Sequence, residues 1–218
     1  MKINPILHFP STEHWVTALL FLCLLLLAWV KAAYPKKLFL VFRDAFVAGL
    51  PEEEWSLTPA SIALFFIFLC STVLLIMELF HNAGIKLYGN MGKEFAMLAL
   101  IVGGFYLVKT VLIALCGFIF EEQQRAMEYL SEVYVFAHLL GIILLPLVML
   151  ETYSHAINQV LFERVILIGA GLIFAYRTIK MFIVMTNKGL NMMYLFLYIC
   201  TLEILPLALF YRYGIMNL

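Results

Sequence analysis

The sequence predicts an all-α fold, a polytopic transmembrane helical bundle of about six spans plus one interfacial amphipathic helix. Three observations carry that prediction. Hydrophobic residues make up 65% of the 218-residue chain and charged residues only 13%, against about 45–50% and about 25% in soluble domains. The mean hydropathy is +1.01. Finally, the apolar residues fall in long runs that approach the ~20 positions needed to cross ~30 Å of hydrocarbon.

Six segments meet the length test, at about 15–33, 58–80, 95–120, 134–150, 165–185 and 192–211. They are expected to form one domain over 1–218, with both termini on one side of the membrane. The first run is preceded by Lys2 and also by Glu13, a poor start for a signal peptide, so it is expected to remain as a span. The fourth is short, with room to extend backward through Glu132. Arg177 and Lys180 interrupt the fifth near its far end.

Between the first two runs, residues 36–50 repeat Leu38, Phe42, Ala45, Phe46 and Gly49 at helical spacing, with Lys36, Lys37, Arg43 and Asp44 elsewhere on the wheel. This predicts a helix lying at the membrane surface, aromatics in the acyl boundary and cations near lipid headgroups. Pro51 and the run Glu52, Glu53 and Glu54 end it. The acidic stretch 121–132 (EEQQRAMEYLSE) reads as a solvated helix extension.

Lys+Arg and Asp+Glu both number 14, a balance that argues against a nucleic-acid partner. Five loop cations fall on the side of the termini (Lys2, Lys86, Lys93, Arg164, Arg212). Eight fall on the other (Lys31, Lys36, Lys37, Arg43, Arg125, Arg177, Lys180, Lys188). That asymmetry favours non-cytoplasmic termini. Cys23, Cys70, Cys116 and Cys200 lie singly inside apolar runs, which suits small buried residues better than a disulfide framework or a zinc site.

Polar residues inside the runs carry most of the functional information, because a charge at mid-bilayer costs about 2.5–3.5 kcal/mol on insertion scales and therefore seeks the bundle interior. Lys109, His138, Arg177 and Glu203 form a candidate intramembrane polar cluster. A Lys109–Glu203 pair would either fasten two spans or serve a proton relay or anion site. Pro146 and Pro206 recur in a shared Leu-Pro-Leu. Each frees a carbonyl four residues earlier, at Ile142 and Leu202, and so marks a helix kink. Glu78 and His81 share one helix face, as do Glu151 and His155. These four are chemically adequate metal ligands, but only one pair has the Glu-x-x-His spacing and further ligands are missing. No cofactor is expected. Bis-histidine haem, Gly-rich phosphate loops and nucleophilic triads have no counterpart in the sequence.

The Trp15-led first run continues into Lys31 and Tyr34-Pro35-Lys36-Lys37. A central block, GFIFEEQQRAMEYL…GIILLPL, occupies 117–147, and YLFLYICTLEILPL occupies 194–207. On these the chain resembles an uncharacterised family of bacterial integral-membrane proteins, found in Bacteroidota and classed as a domain of unknown function. The resemblance implies a multi-span protein of the inner membrane and cell envelope, and supplies no activity. The expected role is a non-enzymatic accessory or scaffold subunit with membrane lipids and a protein partner. The alternatives are a small transporter or proton-coupled permease built on the Glu203/Lys109 site, and an intramembrane lipid-processing or metal-dependent enzyme.

Overall fold

A computed structural model describes residues 14–46, 58–82, 90–119, 121, 123–153 and 159–187. Six helices make up those segments: α1 (His14–Ala33), α2 (Pro35–Phe46), α3 (Pro59–Asn82), α4 (Met91–Ile119), α5 (Gln123–Tyr153) and α6 (Gln159–Asn187). Four of them, α1, α3, α4 and α5, are long and apolar enough to cross a membrane. The expected sixth run, at 192–211, lies outside the described residues.

Local chemistry sets the helix starts. Thr58 caps α3, its Oγ1 accepting from the Ser61 amide at 3.3 Å. Pro59 follows at the first helical position, where a missing N–H costs nothing. Asn90 caps α4 in the same way, its Oδ1 taking the Gly92 amide at 3.0 Å. Pro35 opens α2 directly after α1, so Tyr34 alone separates the two. Glu121, at φ 58°, makes the left-handed corner between α4 and α5.

The α5 helix is longer than the apolar run implied. At about 1.5 Å per residue, its 31 residues exceed the hydrocarbon thickness, so the acidic stretch before Tyr134 is its first turns.

The helices α3 and α5 form the centre. Phe65 meets Tyr134 with ring centroids 5.6 Å apart, and Phe68 meets Gly141, so the two run parallel. A Cβ built on Gly141 would lie 2.7 Å from the Phe68 Cα. Only glycine permits that approach, the small-residue packing that membrane helices use in place of a hydrophobic driving force. Pro146 sits inside α5 on its exposed side.

The other long helices wrap this pair. On α1, Val16, Leu20, Cys23 and Val30 face the core, and the Cys23 thiol touches that of Cys70 on α3. On α4 only Leu98, Lys109, Ile113 and Gly117 are buried. Its remaining surface presents Leu100, Ile101, Phe105, Leu107 and Val108, side chains suited to acyl chains.

The surface helix α2 departs from the expected wheel at Asp44 and Ala45. Val41, Asp44 and Ala45 are buried, while Phe39, Phe42 and Phe46 point outward. Asp44, placed on the polar side of the wheel by the sequence pattern, is buried, its carboxylate held by Arg43 and its backbone carbonyl by Lys180 of α6. Residues 47–50 of the expected helix lie outside the described ones.

Candidate functional site: a buried ion cluster

Two polar assemblies flank α5. Residues 132 and 136 share one face of that helix and residues 134 and 138 another, about 200° away.

On the first face, Glu132 is 2% exposed. The Lys180 Nζ lies 2.9 Å from its Oε1, donates to the Asp44 carbonyl oxygen, and sits 5.6 Å from the Phe136 ring centroid. Asp44 in turn holds Arg43, whose Nε and Nη2 donate to Oδ1 at 3.1 and 3.0 Å. Arg177, one turn before Lys180, is 7% exposed, stands near the Phe174 ring and adds its charge to the field at Glu132. Tyr176 closes the edge, donating to the Phe46 carbonyl at 3.2 Å. Three helices distant in sequence are joined here.

Glu132 therefore corrects the expectation of a solvated acidic stretch: Gln123 and Gln124 are exposed, but the last acid is buried. Lys180 and Asp44 likewise escaped sequence reasoning. The signal was present only as charges inside or beside apolar runs, and their common meeting point is tertiary.

On the second face, the Thr110 hydroxyl of α4 donates to the Tyr106 carbonyl at 2.8 Å. The Tyr134 hydroxyl accordingly donates to Thr110 Oγ1, 3.0 Å away. The His138 ring lies 6.3 Å from that of Tyr134 and bonds the Ser61 backbone of α3. Among the described residues its Nε2 has no hydrogen-bond partner. Lys109 precedes Thr110 on α4 and is buried.

The expected cluster is thus divided. His138 borders the Tyr134 face, Arg177 joins Glu132 on the other, Lys109 is buried on α4, and Glu203 and Pro206 lie outside the described residues.

Glu78 and Glu151 are both buried. Each stands ten positions beyond the Phe68–Gly141 contact on parallel helices, and hence at one depth. His81 is part-exposed in the last turn of α3, and His155 lies outside the described residues. Among the described residues, no three His, Cys, Asp or Glu side chains come together to hold a metal ion.

Residues 16–213 match the family described as Domain of unknown function (DUF4271). The chain belongs to this family. No curated protein and no solved structure matches it. The family's extent takes in both faces of α5, from Asp44 through Lys109 and Glu132 to Lys180, so the ion cluster lies wholly within the matched region.

Proposed function

We propose that the chain is a non-catalytic structural subunit of a bacterial inner-membrane, envelope-associated assembly, crossing the bilayer about six times with non-cytoplasmic termini. One observation carries the role: Lys180, Glu132 and Asp44 engage one another inside the protein. Charges employed in fastening helices are withheld from substrate, and breaking a buried pair is strongly destabilising. The same pairing supports α6 as a further span, because Lys180 enters the bundle already matched by Glu132.

Purification of tagged protein from its native membrane in mild detergent, read by mass spectrometry for proteins and small molecules together, tests the role. A stoichiometric protein partner supports it; a solitary chain carrying a metabolite overturns it. Reporter fusions at the C-terminus test the orientation, and activity confined to the cytoplasm overturns that part.

A specific observation favours a second reading, a small proton-coupled permease. The buried His138 imidazole, with Nε2 unpartnered among the described residues, adjoins Tyr134 and Thr110 in an intramembrane polar line. In that case His138→Gln abolishes uptake while the protein inserts and unfolds as wild type.

A further inference from the structure

We propose that the outer face of α2 is a docking surface for anionic phospholipid headgroups, with Lys36 and, at the junction with α1, Lys31 reading the phosphate and Phe39 and Phe42 entering the acyl boundary. This is independent of whether the protein is a subunit or a permease.

The position of α2 follows from its connections. The membrane-crossing helix α1 ends at Ala33 and α2 begins at Pro35. Trp29 and Tyr34 make an edge-on contact at the junction, with ring centroids 6.0 Å apart. The chain therefore bends where a span leaves the hydrocarbon, a level at which amphipathic aromatics concentrate.

The inner face of α2 is committed. Val41 and Ala45 are 3% and 0% exposed, and the Asp44 carbonyl takes Lys180. The helix cannot roll to hide its other side, so Phe39 remains 69% exposed and Phe42 39%.

On an α-helix, positions 36, 39 and 43 lie on adjacent ridges, which sets an aromatic edge beside a cationic one. Water suits the cations and penalises the rings, whereas a bilayer interface accommodates both.

Charge complementarity selects the headgroup. Lys36 and Lys31 are exposed at this junction, and the Arg43 side chain is 30% exposed. Asp44, the one acid of α2, is buried and offsets Arg43 alone, which leaves Lys36 and Lys31 uncompensated by it. A net cationic ridge of this kind gains from an acidic lipid what it does not gain from a zwitterionic one.

The arrangement also has an internal consequence. Arg43 is tied to Asp44, Asp44 to Lys180, and Lys180 to Glu132. A headgroup held on the outer face thus seats α2 more firmly on the buried pair.

The test uses the full chain in nanodiscs of phosphatidylcholine alone or mixed with phosphatidylglycerol, with amide hydrogen exchange measured across α2. Slower exchange of α2 with phosphatidylglycerol is expected, and Lys36→Gln and Lys31→Gln, both at exposed positions, should each reduce that protection roughly fivefold, as expected for one cation near an acidic surface. Lys36 is fully outside the core, so its variant keeps the fold; unchanged exchange of α3 and α5 verifies this. Equal exchange in the two lipids overturns the proposal, as does a difference that survives both substitutions. Inorganic phosphate added to phosphatidylcholine discs separates the sources: protection by free phosphate alone overturns the lipid as occupant.

Discussion

Lys180 of α6 and Glu132 of α5 face each other at 2.9 Å with side chains only 5% and 3% exposed, and the same ammonium holds the backbone of α2 through the Asp44 carbonyl. One cation thereby sets the mutual placement of three helices. Replacing either partner singly leaves a buried charge uncompensated. Lys180→Met and Glu132→Gln are each expected to cost about 3 kcal/mol in denaturant titrations in detergent. The double variant Lys180→Met/Glu132→Leu should lose clearly less than the sum.

The Gly141–Phe68 contact gives a sharper test of packing. Gly141→Ala should cost about 1–3 kcal/mol, because the obstructing atoms are backbone and Cβ atoms of Phe68 and α3 must move away. Gly104→Ala on α4, where the new methyl meets nothing within 4 Å, should be neutral or stabilising by up to about 1 kcal/mol. Thermal unfolding of the two variants side by side decides the point; equal losses would remove the α3–α5 contact as the explanation.

A double-mutant cycle on Tyr134→Phe and Thr110→Val measures the bond joining α4 to α5. The coupling should fall near 0.6 kcal/mol and at most ~1.7 kcal/mol, the range found for hydrogen bonds between membrane helices. A coupling of zero would mean that the 3.0 Å contact does nothing to hold the two helices together.

The first helix is tied to the fifth by the Tyr153 hydroxyl donating to Thr17 Oγ1 at 2.9 Å. That bond is exposed, so Tyr153→Phe should lower stability by only about 0.5 kcal/mol. Faster amide exchange at the start of α1, with α3 unaffected, is its expected signature.

Much of the fold was legible because its signals are local. The Thr58-Pro59 start of α3 follows from adjacent residues, and the apolar runs of α1, α3 and α4 coincide with helices. The backward extension of α5 through Glu132 was legible, but the burial of Glu132 was not, since residues 123–132 read as a solvated stretch. The burial of Asp44 and Ala45 on α2 was hidden for a different reason. Its apolar arc is broad enough to point either way, and the face that is buried meets partners such as Lys180 from a helix distant in sequence. The candidate site was half-legible: Lys109, His138 and Arg177 stood out as charges or an imidazole in apolar runs. Glu132 and Asp44 resembled ordinary wet residues until their partners were placed beside them.

The sequence separation within the clasp bears on how the chain is made. Lys180 and the Asp44 carbonyl are 136 residues apart, so α2, α3, α4 and α5 all leave the ribosome before the cation that joins α2 to α5. Until α6 emerges, Glu132 is an acid awaiting its counter-charge, whereas Asp44 already has Arg43 beside it, and the first turns of α5 have reason to linger among the headgroups. Insertion of the fifth helix and arrival of the sixth then become one coupled event. A chain stalled or truncated before Lys180 would leave the Glu132 carboxylate unmatched and the Asp44 carbonyl without its ammonium donor.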